Sequence, residues 1–406
     1  MGHPHFRGAS CRAKHNLASL LNSVQSVGGG MRVCYLFLDS DGTNDGSRGV
    51  TALQLHFAPC LVLTSLLLSA IALPVDAAWA AQNDAAATAA SSPCSSFIES
   101  NFPKAVISNG SVQAVVYLPD PQNGYYRASR FDWSGVVPCL TYKGHTYFGI
   151  WFNHYDPLIN DSIAGPVEEF RSSDGLGSMN YSEAKPGGLF IKPGIGVLRK
   201  MDDSPYKFGF TYPIVDGGKW TVRVKKSEVT FTQRLQSPLG IAYVYEKTLK
   251  LDRHDPVLIL EHHMKNVGTK EIDTQVYDHD FFMLDGAPTG PGMVVHFPFE
   301  PVAKQPFGSA AKIDGKDIVY LEELGSGPGQ AVSSYLTGFS NSPADYDFTV
   351  ENRNTGVGVE QTSNSPISVL NFWSIHTTIC PEAYIHVNVQ PGATMNWNIR
   401  YRFFAK

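Results

Sequence analysis

Val257-Leu258-Ile259-Leu260-Glu261-His262-His263-Met264-Lys265-Asn266-Val267-Gly268 is the stretch on which the fold turns. It reads as a strand closed by an Asn-x-Gly turn. Soon after it, Asp278-His279-Asp280-Phe281-Phe282-Met283-Leu284-Asp285-Gly286 puts a histidine on a short run that passes through two aromatics to an Asp-Gly turn. The same β texture extends from Val112 to the end of the chain. Further strands are expected at 112–118, 219–224, 229–235, 242–251 and 396–403. Many alternate apolar with polar residues, as half-buried antiparallel strands do. No stretch holds a helical period beyond a turn or two, and 37 Gly and 26 Pro suit a loop-rich β protein. The expectation is an all-β fold, a large antiparallel β-sandwich or a barrel. No fixed-period repeat is visible, which speaks against a propeller.

The first 81 residues carry a different signal. Residues 57–81 hold an apolar run, Cys60-Leu61-Val62-Leu63 and Leu66-Leu67-Leu68, followed by Ala77-Ala78-Trp79-Ala80-Ala81. This pattern reads as the h-region and small-residue cleavage site of a secretory signal. A transmembrane helix is the competing reading, but the apolar core is short for roughly 30 Å of hydrocarbon. The sequence before it lacks a sustained period, and a start near Val50 would give the signal its usual position. The expected organisation is a leader at 1–81, a flexible Ala/Ser-rich linker at 82–96 and a β-sandwich domain at 97–406. The mature protein is expected to be secreted or periplasmic, with no stable membrane span once the signal is removed.

The formal net charge is −5 and no Lys/Arg cluster stands out after the leader, so nucleic acid is not an expected partner. Cys94, Cys139 and Cys380 lie beyond the leader. Export permits a disulfide, Cys139–Cys380 being one option, with buried free thiols the other. No cysteine spacing resembles a zinc site. Within His262-His263, neighbouring strand residues point to opposite faces and cannot ligate together, and no H-E-x-x-H is present, so no metal is expected. Asn109-Gly110-Ser111, Asn160-Asp161-Ser162 and Asn180-Tyr181-Ser182 match the glycosylation sequon.

The order of motifs resembles the galactose-mutarotase-like superfamily, the aldose 1-epimerases and sugar-phosphate mutarotase relatives. The resemblance rests on the Asn266-Val267-Gly268 turn followed by the His279 element. Lys185-Pro186-Gly187-Gly188 through Gly196 looks like that family's Gly-Gly loop entering the substrate cleft. Thr377 to Tyr384 is similar to its late strand bearing a glutamate, and Pro391-Gly392 with Trp397 to Phe403 to its closing strand pair. The resemblance implies a wide two-sheet sandwich, a sugar or oligosaccharide ligand, no cofactor, and anomer interconversion with His279 as acid and Glu382 as base. Those residue types suit the chemistry, because a carboxylate can take the anomeric proton and an imidazole can protonate the ring oxygen near neutral pH. The two are expected on opposite edges of a pyranose-sized hollow.

Each role has a plainer rival. His279 sits between two aspartates and could be a structural histidine. Glu382 follows Pro381 and could face solvent. A different alignment of the late strand puts His376 in the base position. Arg130, His145 and Lys192 are candidates for gripping hydroxyls or an acidic substituent, or else solvated charges. Trp133, Trp151 and Trp373 could stack on a sugar or fill the core, with Trp373 taken as a substrate contact. The family's early N-R-(I/V) and L-H-G-G elements are absent, so its second substrate histidine has no counterpart. A non-catalytic carbohydrate-binding protein and a polysaccharide lyase or hydrolase relative remain alternatives on the same scaffold.

Overall fold

A computed structural model describes residues 92–406 apart from 176 and 328. The leader at 1–81, its signal-like segment at 57–81, and residues 82–91 of the expected linker lie outside the described residues. Residues 92–96 of the expected linker are part of the described fold. Cys94 is fully buried and a short helix, Ser95–Glu99, follows it. Cys94 is disulfide-bonded to Cys139, not Cys139 to Cys380, and Cys380 is a buried free thiol. The two bonded cysteines pack with Val115 against Phe97 and Ile98, so the bridge pins residue 94 to the strand Val136–Tyr142.

The strands fall where alternation places them. Ala242–Leu251 buries Tyr243, Tyr245, Lys247, Leu249 and Leu251 on one face. Its partner Val257–Asn266 buries Leu258, Leu260, His262, Met264 and Asn266 and turns Glu261, His263 and Lys265 outward. The Asn-x-Gly turn then closes on itself. Asn266 Nδ2 donates to the carbonyls of Lys270 and Val389, while its Oδ1 accepts from Gly268 N at 2.9 Å. A Cβ on Gly268 would meet Ala242 N and Gly240 O at 2.5 Å, so the turn requires glycine there.

Among the described residues a ten-stranded antiparallel sheet runs, in spatial order, 311–314, 317–320, 293–296, 347–352, 357–363, 394–405, 257–266, 242–251, 228–236, 219–225. A six-stranded sheet runs 302–303, 332–337, 369–375, 378–389, 272–279, 167–172. Their facing sides share one apolar cluster, to which the larger sheet gives Phe231, Tyr243, Leu249, Leu260 and Met264 and the smaller gives Val276, Phe372, Ile385 and Val387. The architecture is thus a large antiparallel β-sandwich. The other side of the six-stranded sheet carries the site. No helix among the described residues is long and apolar enough to cross a membrane.

Candidate active site

The six-stranded sheet sets the site by register. Strand Ile272–His279 pairs with Thr378–Val389, Val276 lying opposite Ile385. Farther along, Phe282 bridges Ile379. Three residues inward from either match, the same register sets His279 opposite Glu382. Thr378–Val389 pairs on its other side with Val369–Ile375, placing Asn371 opposite Glu382 and Trp373 opposite Cys380. Cross-strand neighbours on one face touch. The rows Asn371–Glu382–His279 and Trp373–Cys380–Phe281 are the result, and Tyr384 beside Tyr277 forms a third, with ring centroids 4.3 Å apart.

His279 Nε2 lies 3.3 Å from Glu382 Oε1, and both side chains are almost wholly buried. Asn371 Nδ2 donates to the other carboxylate oxygen, Oε2, at 2.9 Å. His279 Nδ1 is 3.1 Å from Cys380 Sγ, which also accepts the backbone N–H of Phe281. The imidazole stacks on Phe281 at 3.8 Å and meets the edge of Trp373. Phe281 has φ 47°, a turn of the chain that ends the strand and lays its ring on the histidine. Gly165 lets a neighbouring loop come close here, since a Cβ on it would lie 2.0 Å from Asp280 O.

Burial sets the proton affinities. It pushes Glu382 up to about 7, against the pull of Asn371 and Arg130. It pushes His279 well below the usual imidazole value, and the Arg130 charge adds to that. The Cys380 thiol is raised by burial and by the Glu382 and Asp280 carboxyls, so it stays protonated.

His279, Glu382, Asn371 and Phe281 line a cleft of about 360 Å³, within the range of small-ligand sites. Its aromatic walls include Trp151, Trp373, Phe208 and Tyr335, and Arg130 and Arg171 border it. Arg130 is held on the protein side, its Nε donating to Glu169 Oε2 at 2.9 Å and its Nη1 to Asp161. Lys192 does not reach the cleft. It is fully buried, 3.0 Å from Glu169 Oε1, with Tyr206 as its second partner, and burial pulls it down to about 8. Burial alone would raise Glu169, but Lys192 and Arg130 together outweigh that and hold it far below the carboxylate range. The Gly-Gly stretch expected to enter the cleft instead forms the hairpin 189–192/196–199, which carries Lys192 to the back of Glu169.

His145 stands elsewhere, half exposed at a turn and 2.8 Å from Asp285. His376 contacts Leu324 O and Glu323 and does not border the cleft, so Glu382 is the group that meets His279. The acid and base candidates touch instead of flanking the hollow. Asp278 and Asp280 are no partners of His279, because strand alternation turns them to the opposite face. There both contact Tyr401 Oη, and Asp278 is pushed up to about 8 by burial and the Glu168 charge. Tyr277, Tyr384, Asn371, Arg171 and Cys380 were not expected at the site from the sequence. A signal was present, because Tyr277 is two residues from His279, and Cys380 and Tyr384 two from Glu382, hence on the same strand face.

No group of three or more metal-ligating side chains occurs among the described residues. Fold and site together define an all-β sandwich with a buried imidazole and carboxyl in contact at an aromatic cleft. No family model matches the chain, and no curated protein does. Solved structures similar to it include a galactose mutarotase related enzyme from Lactobacillus acidophilus (12% identity, 74% of this chain and 97% of that chain, TM-score 0.45). Others are an aldose epimerase homologue from C. elegans (13%, 74% and 98%, 0.45) and a galactose mutarotase-like protein from Clostridium acetobutylicum (13%, 74% and 95%, 0.46).

Proposed function

We propose that this is an exported carbohydrate-active enzyme that interconverts the anomers of a sugar, with Glu382 as base and His279 as acid. The observation that carries the reading is the 3.3 Å contact between two groups of opposite chemistry at the wall of an aromatic cleft. The anomeric hydroxyl and the ring oxygen are bonded to one carbon. Two adjacent protein groups can therefore serve both, and they need not stand on opposite sides of the sugar.

With one proton on the pair, burial favours its placement on Glu382, and the reactive form is the minor arrangement of carboxylate and imidazolium. Nδ1 is engaged by Cys380 Sγ, which leaves Nε2 as the nitrogen that gains and loses the working proton. Glu382 takes the proton of the anomeric hydroxyl as His279 Nε2 gives its own to the ring oxygen. The C–O ring bond breaks and an aldehyde forms. After the C1–C2 bond rotates, the steps reverse. Glu382 returns its proton to the carbonyl oxygen, His279 recovers one from the ring hydroxyl, and the ring closes on the other face. No net proton leaves the site, and no cofactor is called for.

A β-eliminating lyase would need a tyrosine that surrenders its proton. Burial and the Glu382 charge push Tyr384 up, and burial and Glu169 do the same to Tyr277, which weighs against that reading. Export is supported by the signal-like segment at 57–81 and by the Cys94–Cys139 bridge, a bond at home in oxidising compartments. The test is NMR exchange between α and β forms of glucose and galactose with wild type and His279→Ala. The reading expects acceleration above the spontaneous rate that the variant loses. Wild type matching the spontaneous rate on both sugars removes it for them.

A further inference from the structure

A second cavity, about 540 Å³ and larger than the His279 cleft, opens among Trp133, Trp220, Tyr212, Arg127, Thr211 and Val215. Three chain segments contribute to both hollows at a spacing of three residues. Arg127 borders the second and Arg130 the first, Leu158 the second and Asp161 the first, Thr211 the second and Phe208 the first. Three residues span at most about 10 Å of chain, so the hollows are neighbours.

Between them runs an apolar ridge. Leu158 is 53% exposed, Phe208 54%, Phe210 43% and Ile159 42%, a cluster that a solvated loop does not need. The ridge is fixed in place, because Asn160 Nδ2 donates to the carbonyls of Phe208 and Phe210, and Thr211 Oγ1 to that of Leu158. The Arg130 guanidinium lies 4.8 Å over the Phe208 ring, joining the ridge to the cleft.

The second cavity has the lining a sugar requires. A pyranose offers an apolar C–H face and a rim of hydroxyls, which aromatic rings and scattered donors match. Trp133, Trp220 and Tyr212 supply the rings. No carboxylate lines the cavity, and the Arg127 and Trp220 side chains border it.

We infer that the substrate is an oligosaccharide. Its reducing-end sugar occupies the His279 cleft, and the units behind it cross the Phe208 ridge into the Trp220 cavity. This rests on the anomer-exchange reading, because only a reducing end has the free anomeric hydroxyl that Glu382 would deprotonate.

The experiment compares kcat/KM for anomer exchange on glucose and galactose with that on maltotriose, cellotriose, laminaritriose and β-1,4-galactotriose. At least one trisaccharide should exceed its monosaccharide at least tenfold, and Trp220→Ala should bring that ratio to about one. Val215→Arg, at a position 47% exposed, should do the same by filling the cavity without disturbing the core. Exchange of monosaccharides with no trisaccharide preferred, or a preference that survives both variants, overturns the inference and leaves the catalytic reading standing. Should no sugar be exchanged, the catalytic reading fails and tryptophan-fluorescence titration decides the rest. Tighter binding of a trisaccharide that Val215→Arg abolishes then upholds the two-cavity surface, and equal or absent binding overturns it.

Discussion

His279 Nε2 and Glu382 Oε1 stand 3.3 Å apart because the register of two neighbouring strands sets the residues side by side. At that distance the ionisation of one group bears on the other. Glu382 is raised to about 7 and His279 lowered, so the singly protonated pair gives up its proton near 7. The active form holds that proton. Anomer exchange should therefore fall as pH rises through about 7, and fall again at low pH where the pair takes a second proton. A kcat/KM profile from pH 4 to 9 checks this. A rate that climbs steadily above pH 7 contradicts it.

Asp278 and Asp280 both meet Tyr401 Oη, a phenol with one proton to donate. One of the two carboxyls must supply the other hydrogen, in keeping with a buried Asp278 raised from 3.8 to about 8. The folded chain then binds more protons than the unfolded one between those values, and stability drains away as pH climbs through that window. The depressed His262 and His279 act in the opposite sense below 6.5, so the wild-type curve mixes the two effects. Asp278→Asn isolates the first. Thermal melts should show the variant near wild type at pH 4 and above it at pH 8.

Lys192 and Glu169 form a buried pair 3.0 Å apart behind the cleft wall, with Arg130 on the other carboxylate oxygen. Removing one member of such a pair typically costs about 3–5 kcal/mol, an upper bound here because Arg130 stays on the carboxylate. Lys192→Met should lower urea-unfolding stability by that order, and weaken sugar affinity by loosening Arg130. Equilibrium unfolding and a sugar titration check both parts.

The Cys94–Cys139 bridge spans a sequence separation of 45 residues. Loop-closure entropy for a span of that size corresponds to about 4 kcal/mol. Cys139→Ala should lose stability of that order in urea. Alkylation of the denatured, unreduced protein followed by peptide mass mapping should label Cys380 and leave Cys139 unlabelled.

Much of the framework could be read along the chain. Expected strands at 242–251 and 229–235 appear at 242–251 and 228–236, because one face of each is apolar and the other is not. The Asn266-Val267-Gly268 turn was visible because its side-chain chemistry is local. Register is not local. Nothing near residue 279 says that residue 382 will lie opposite it; motif resemblance alone joined the two. Charge was misleading for the same reason. Lys192 reads as a free cation until the fold sets Glu169 against it, and His145 reads as a ligand group until Asp285 claims it at an outer turn. The cysteine pairing depended on where Cys94 docks, which composition does not encode.

The most direct measurement is NMR exchange spectroscopy of α/β glucose and galactose, free and as trisaccharide reducing ends, with wild type and Glu382→Gln at pH 6. The proposed pair calls for wild-type exchange well above the spontaneous rate and a loss of about 10²–10⁴-fold in the variant, the usual worth of a positioned acid or base. Equal rates for wild type and Glu382→Gln would contradict it.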